Sequence, residues 1–152
     1  MATDSAKVSD YGDVGVFLQD ATILLTGAVG FAGTALLFRL LEDPILRSSV
    51  KQVLALIRGE TLEKAVARLP RPLQRWTRVD GSEGLPKLVV LNGDCSKIGL
   101  GLVGEQAEAA RRASIVIHAA GDTRFNLSQA EAIQCIVRPG ISYPVLRSIL
   151  SR

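Results

Sequence analysis

The amino-acid sequence predicts an α/β fold in which a parallel β-sheet is flanked by helices. Short apolar, β-branched runs alternate with segments of helical periodicity, and a glycine-rich turn joins the first run to the first helix. The first two runs begin about 30 residues apart, which is the length of one strand–helix–strand unit. The 152 residues are enough for one domain with a single core.

The first unit begins with residues 21–26, an apolar run that ends at Gly27 and is typical of a strand buried on both faces. Apolar residues then recur at helical spacing over 31–41, and Asp43 and Pro44 end this pattern. A helix that packs on the sheet is therefore expected after the first strand.

The same two patterns alternate along the rest of the chain. Further buried strands are predicted at 52–57, 87–92 and 114–118. Further helices are predicted at 61–69, 104–112 and 129–137, with a capping box of Ser128 and Glu131 at the start of the last one, and 141–152 could form a short helix. The polar stretch rich in proline and glycine around Trp76 is expected to be a surface insertion before the third strand.

The turn after the first strand, residues 26–33, reads Thr-Gly-Ala-Val-Gly-Phe-Ala-Gly. Gly27 permits a sharp turn, Gly30 lets the backbone approach a pyrophosphate, and Gly33 lets the helix press on the sheet. The helix N-terminus supplies amides and partial positive charge for the phosphates. The pattern favours a dinucleotide site; the alternative is a tight turn in a relative that binds no cofactor.

The second strand ends in Ile57-Arg58-Gly59, where NAD-binding proteins of this fold usually carry an acidic residue that binds the ribose hydroxyls. An arginine can pair with the 2′-phosphate of NADP, which an acidic residue would repel. Arg58 therefore favours NADP(H) as the cofactor; the alternative is a solvated charge on a loop.

The order of elements corresponds to half of a doubly wound fold, so the sequence predicts a Rossmann-type parallel sheet, truncated after about four strands. Residues 1–17 are polar and are expected to form a flexible leader. Residues 18–152 are expected to be the N-terminal part of an NADP-binding Rossmann domain.

Four segments resemble extended short-chain dehydrogenases, specifically the fatty acyl-CoA reductase and thioester reductase branch with its male sterility-type NAD-binding domain: TGAVGFAG, LALIRGET, NGDCSKIGLGL and IVIHAAGDTRF. The resemblance extends over about residues 17–137. It implies cofactor contacts at Gly27, Gly30, Phe31 and Gly33 for the pyrophosphate, Arg58 for the 2′-phosphate, Asp94 and Cys95 for the adenine, and Ala119 and Ala120 for the ribose and nicotinamide side. Thr26 and Val29 of the same turn are also expected to bind the cofactor.

This branch reduces fatty acyl or carrier-bound thioesters with NADPH and uses a Tyr-x-x-x-Lys pair. The nearest match here is Tyr143-x-x-x-Arg147, and Ile136 stands where the family helix usually carries an asparagine. The resemblance thus implies an NADPH-dependent fatty acyl-CoA reductase that is incomplete and inactive alone, with no catalytic residue assigned. Alternatives are a fragment of a carrier-protein thioester reductase domain and a non-catalytic dinucleotide-binding or interaction module.

Composition limits the other partners. The net charge of +3 comes from scattered basic residues, so no nucleic acid is expected. Cys95 and Cys135 match neither the spacing of a zinc site nor that of a disulfide framework, so no metal is expected. His118 is expected to be structural or next to the cofactor.

No apolar run is long enough to span a bilayer, and the lack of a targeting signal favours a cytoplasmic location. The edge of a half sheet predicts self-association or poor solubility.

Overall fold

A computed structural model describes residues 14–77, 87–121 and 128–132. Within these parts, four parallel strands form one sheet in the order β3-β2-β1-β4. The strands are β1 (Thr22–Thr26), β2 (Gln52–Ile57), β3 (Leu88–Asn92) and β4 (Ile115–His118). The Rossmann-type sheet predicted from the sequence is confirmed, and its strand order reverses direction between β1 and β4.

Helices cover both faces of the sheet. They are α1 (Phe31–Glu42), α2 (Pro44–Ser49), α3 (Leu62–Ala67), α4 (Arg71–Gln74), α5 (Gly104–Arg111) and α6 (Gln129–Ala132), with 3₁₀ turns at Arg75–Thr77 and Ile98–Gly101. Successive strand residues point to opposite faces, so the core divides into two clusters. The larger one joins Ile23, Leu25, Val53 and Ala55 to α1–α4, and the smaller one joins Leu24, Leu54, Leu56 and Leu91 to α5 and the second 3₁₀ turn.

The helical structure continues past Asp43, where the sequence pattern indicated only an end. The backbone of Asp43 is extended and closes α1, while its carboxylate accepts hydrogen bonds from the amides of Ile45 (3.0 Å) and Leu46 (3.2 Å). Pro44 takes the first position of α2, where its missing N–H is not needed. One Asp-Pro pair thus ends one helix and begins the next.

The prediction of a surface insertion around Trp76 was wrong for residues up to 77. Helix α4 and the 3₁₀ turn after it pack on the larger core cluster, and Leu73 is completely buried there. The segment is therefore part of the core layer because it supplies a buried leucine, in spite of its prolines. Residues 78–86 lie outside the described residues.

The described chain begins with a helical turn at 14–17, in which Gly15 is buried; a Cβ on it would lie 3.3 Å from the hydroxyl oxygen of Ser49 and 3.5 Å from a methyl group of Ile45. Residues 1–13 and 133–152, which contain Cys135, Ile136 and the Tyr143–Arg147 segment, lie outside the described residues. None of the helices within the described parts has the length and apolar character needed to cross a membrane.

Trp76 joins α4 to the end of α1. Its indole N–H donates a hydrogen bond to a Glu42 carboxylate oxygen at 3.0 Å, and Arg75 reaches the same carboxylate at 2.6 Å. The guanidinium groups of Arg47 and Arg75 lie 5.3 and 5.0 Å from the ring centroid. The Trp76 hydrogen bond lowers the pKa of Glu42, and the charges of Arg75 and Arg47 add to this against a smaller opposing effect of desolvation.

Glu42→Gln is expected to lower the thermal midpoint of unfolding at neutral pH. Because the folded-state pKa of Glu42 lies below its ordinary value of 4.5, its stabilisation is complete above that value and is lost as the pH falls through the folded-state pKa. The difference in Tm between wild type and variant should therefore narrow as the pH falls from 4.5 through the folded-state pKa. Thermal scans at several pH values measure it, and a constant difference would contradict the prediction.

Candidate functional site

A cleft of about 550 Å³ opens at the carboxyl edge of the sheet, above β2, β1 and β4. Ligands of parallel α/β sheets bind at this edge, where the strand order reverses. Of the residues predicted to bind a cofactor, the cleft is lined by Gly27, Val29, Gly30, Arg58, Asp94, Cys95, Ala119 and Ala120. Thr26, Phe31 and Gly33 lie in the same turn but do not line it.

The turn after β1 leaves no space for side chains at two of its glycines. Gly27 has a φ of +67°, and a Cβ on it would lie 2.5 Å from the carbonyl oxygen of Ala119 and from the amide nitrogen of Ala120. A Cβ on Gly33 would lie 2.1 Å from the carbonyl oxygen of Gly27. Only glycine therefore allows α1 and the segment after β4 to approach this turn so closely.

The N-terminus of α1 lies at the cleft. Gly30 is its N-cap residue, no side chain caps the helix, and its first turn contains no acidic residue. The amides of that turn thus keep hydrogen-bonding capacity for an anionic ligand. Phe31 begins the helix and is exposed, so the structure places its side chain at the surface beside the cleft.

Thr26 holds the end of β4 instead of lining the cleft. Its buried hydroxyl lies 2.6 Å from Nδ1 of His118 and accepts a hydrogen bond from the amide of Ala120 at 3.4 Å, while its carbonyl accepts one from Ala119 at 3.2 Å. Partial burial lowers the pKa of His118, which favours the neutral ring. These contacts agree with a structural role for His118 and make Thr26 a positioning residue for Ala119 and Ala120.

Arg58 emerges at the cleft directly after the buried run of β2. Its side chain is 75% exposed, and its guanidinium lies 3.8 Å from the carboxylate of Asp94. The amide and the hydroxyl of Ser96 donate to the same carboxylate at 2.9 and 2.8 Å. Partial burial raises the pKa of Asp94, but the hydrogen bonds from Ser96 and the charges of Arg58 and Lys97 together lower it below its ordinary value.

The loop after β3 reaches the cleft because Gly93 has no side chain. A Cβ there would lie 2.5 Å from the carbonyl oxygen of Leu100 and 2.8 Å from a methyl group of Leu102. The side chain of Asn92 accepts a hydrogen bond from the amide of Gly59 at 3.0 Å and so joins the ends of β3 and β2. Gly59 and Gly93 each come within two residues of the end of a predicted strand, and this position was the signal available in the sequence.

Sequence reasoning missed six of the residues that line the cleft, of which Arg68 and Ser96 have polar side chains; the others are Leu56, Ile57, Gly93 and Gly121. Ser96 follows Asp94 at the spacing of an Asx turn, which is a usable signal. Arg68 is one of many arginines in the sequence, and nothing in its local pattern distinguishes it. Across the described parts of the chain, no three or more His, Cys, Asp or Glu side chains group as metal ligands do.

Several known proteins are similar to this chain in sequence. The chain is 29% identical over 126 residues to the fatty acyl-CoA reductase wat of Drosophila melanogaster, a match that covers 80% of this chain and 24% of the relative. It is 37% identical over 86 residues to the non-canonical nonribosomal peptide synthetase cpsA of Aspergillus campestris, covering 57% of this chain and 8% of that protein. The chain thus spans about a quarter of the reductase's length.

The terminal R domain from the myxalamid PKS-NRPS biosynthetic pathway has a similar fold. Its TM-score with this chain is 0.65 at 22% sequence identity, and the alignment covers 88% of this chain and 33% of that one.

The model of the family described as male sterility protein, an NAD-binding domain, matches residues 25–141. The match includes the turn after β1, Arg58, Asp94 and the segment after β4. This chain therefore belongs to the male sterility protein family of NAD-binding domains, whose cofactor is a nicotinamide dinucleotide.

Proposed function

We propose that this chain is the NADP(H)-binding part of a reductase that acts on fatty acyl-CoA thioesters. The observation that carries the proposal is the cleft in which the glycine turn after β1 lies beside Arg58 at the end of β2. The N-terminus of α1 offers amides to a pyrophosphate, and the end of β2 is where a bound ribose is expected. A guanidinium at that point attracts a 2′-phosphate, and this supports NADP(H) over NAD(H).

The residue assignments belong to the same proposal. The pyrophosphate lies against Gly27, Val29 and Gly30, with Phe31 and Gly33 continuing into α1 and Thr26 holding the opposite wall. Asp94 and Cys95 flank the adenine, and Ala119 and Ala120 lie on the ribose and nicotinamide side. The leader over 1–17, the domain assignment of 18–152, the cytoplasmic location and self-association through a sheet edge stay predictions from the sequence.

A second candidate is a reductase domain that acts on a thioester held by a carrier protein. The 37% identity to the Aspergillus campestris peptide synthetase favours it. A non-catalytic dinucleotide-binding or interaction module is the third candidate. We assign no catalytic residue and expect this chain by itself to bind NADPH without turning over an acyl thioester.

Arg58→Glu is expected to weaken NADPH binding by about 100-fold, because an attractive charge-assisted contact becomes a repulsive one. The affinity for NADH should change by less than about threefold, since NADH carries no 2′-phosphate. Calorimetric titrations of wild type and variant with each dinucleotide measure both affinities. The wild type should prefer NADPH and the variant should lose that preference.

Arg71→Glu is the matched control, because Arg71 is exposed on α4 and does not line the cleft. It should bind both dinucleotides as the wild type does. Equal NADPH affinities of wild type and Arg58→Glu would contradict the assignment of NADP(H), and a folded wild type that binds neither dinucleotide would overturn the cofactor proposal. When a fatty acyl-CoA is added to the wild type with NADPH, the NADPH absorbance should stay constant.

A further inference from the structure

The second 3₁₀ turn contains a leucine in a backbone conformation that leucine rarely adopts. Gly99, Leu100 and Gly101 have φ angles of 61°, 62° and 65°, so three consecutive residues are left-handed. Glycine reaches this region without a steric penalty, whereas a residue with a bulky side chain is strained there. Among the described residues, Asp20 is the one other non-glycine residue with a positive φ. Such strain persists only where the surrounding structure imposes it.

The burial of its side chain holds Leu100 in this conformation. The side chain is 3% exposed and belongs to the smaller core cluster. From residue 92 to residue 103, Leu100 is the one buried residue, and Ile98, two positions earlier, is 92% exposed. The free energy gained by burying a leucine side chain offsets the cost of the left-handed backbone. Leu100 is therefore the apolar anchor of the loop after β3.

The left-handed backbone turns the carbonyl of Leu100 toward the loop that lines the cleft. This carbonyl oxygen accepts a hydrogen bond from the amide of Asp94 at 2.7 Å. The amide of Leu100 donates to the carbonyl of Lys97 at 3.1 Å, and the amide of Lys97 donates to the carbonyl of Asp94 at 3.0 Å. Three backbone hydrogen bonds thus close this loop, and the cleft residues Asp94, Cys95 and Ser96 lie inside it.

The contacts of the Asp94 side chain depend on where its backbone lies. Its carboxylate accepts hydrogen bonds from the amide and the hydroxyl of Ser96 and lies 3.8 Å from the guanidinium of Arg58. These contacts set the direction of the carboxylate. The hydrogen bond to Leu100 fixes the backbone amide of the residue from which that carboxylate projects.

We propose that Leu100 is a positioning residue for the adenosine end of the cofactor; this inference rests on the proposed function. Its buried side chain fixes its carbonyl, the carbonyl fixes the amide of Asp94, and Asp94 and Cys95 then meet the adenine without rearrangement. A loop that is already in its binding conformation loses less conformational freedom when the ligand binds. The strain at Leu100 is thus present in the free protein and contributes to affinity through preorganisation.

Leu100→Val tests the inference, with Leu54→Val as the matched control. Both substitutions remove one methylene group from the smaller core cluster, and Leu54 lies in β2 and does not line the cleft. Valine suits a strand, but its branched Cβ conflicts with a positive φ. In calorimetric titrations we expect Leu100→Val to bind NADPH about tenfold more weakly than the wild type. Leu54→Val should bind NADPH as the wild type does.

Amide hydrogen exchange of the free protein, followed by NMR, separates a local change in the loop from a general loss of stability. Relative to the amides of β1, the amide of Asp94 should exchange about tenfold faster in Leu100→Val than in Leu54→Val. Leu100→Met keeps an unbranched side chain of similar volume and should bind NADPH within about twofold of the wild type.

Leu100→Gly decides the question if Leu100→Val does not fold. Glycine adopts the left-handed backbone without strain but provides no anchor, so we expect NADPH to bind about tenfold more weakly here too. If Leu100→Gly binds NADPH as tightly as the wild type, the side chain does not position the loop and the inference is overturned.

Two further results would overturn the inference while the proposed function stands. One is an equal effect of Leu100→Val and Leu54→Val on NADPH affinity, which would mean that Leu100 serves only core packing. The other is an unchanged exchange rate of the Asp94 amide in Leu100→Val. If the folded wild type binds neither NADPH nor NADH, the inference and the proposed function both fail.

Discussion

Gly33→Ala is expected to destabilise the protein by about 2 kcal/mol or more and to abolish cofactor binding. Alanine in a helix normally stabilises it by about 1 kcal/mol relative to glycine. Here the new Cβ would lie 2.1 Å from the carbonyl oxygen of Gly27 and 2.7 Å from its carbonyl carbon. These are backbone atoms of the turn itself, so relief requires α1 to move away from β1, at a cost of about 3 kcal/mol that exceeds the gain in propensity.

Urea denaturation followed by tryptophan fluorescence measures this effect, since Trp76 is the only tryptophan in the sequence. Gly121 and Gly104 serve as controls, because a Cβ added to either would have no atom within 4 Å. Gly121→Ala has an ordinary φ and should change stability by less than about 0.5 kcal/mol. Gly104 has a φ of +55°, so Gly104→Ala should lower the free energy of unfolding by about 1 kcal/mol from backbone strain alone. A Gly33→Ala protein as stable as the wild type would rule out the tight approach of α1 to the turn.

Gly30→Asp is expected to lower the affinity for NADPH by about 100-fold while the protein stays folded. Gly30 is the N-cap residue of α1 with an extended backbone, at φ −77° and ψ 172°. An aspartate there can accept hydrogen bonds from the first amides of the helix, which adds a few tenths of a kcal/mol to stability. The same carboxylate would occupy the anion-binding position and repel a pyrophosphate by about 4 kcal/mol at 4 Å, a value that solvent exposure reduces.

Gly30→Asn separates charge from shape. Both side chains place a Cβ at 3.2 Å from the Gly27 carbonyl oxygen and both can cap the helix, but asparagine is neutral. We expect the asparagine variant to bind NADPH about tenfold more weakly than the wild type. The further loss of about tenfold in the aspartate variant then measures the effect of its negative charge. If the aspartate variant binds NADPH as tightly as the wild type does, the pyrophosphate does not lie at the N-terminus of α1.

The strands and most helices could be predicted because their patterns are local. Residues 52–57 form β2 with the predicted bounds, and 21–26, 87–92 and 114–118 each differ by one residue at the start. Helix α2 was missed because Asp43-Pro44 is equally good at ending one helix and at beginning another. The segment around Trp76 was misread because prolines favour loops locally, whereas the burial of Leu73 depends on residues far along the chain.

The candidate site divides in the same way. The glycines of the turn after β1 and the arginine after β2 could be assigned from their place next to a strand, since backbone conformation and strand ends are properties of neighbouring residues. The contacts of Gly27 with Ala119 and of Arg58 with Asp94 could not, because each joins segments that meet only when the sheet has assembled. The contact of Arg68 with the Arg58 carbonyl depends on how α3 packs against the end of β2.

By itself, the sequence determined the type and order of the elements and the residues around which a dinucleotide site is built. Only the tertiary structure decided which of those residues line the cleft, that Thr26 and Gly33 act by holding its walls, and that a second arginine stands beside the first. The physical reason is that hydrophobic periodicity and backbone propensity are encoded over a few residues. The distances between side chains in a cleft follow from packing between elements that are far apart along the chain.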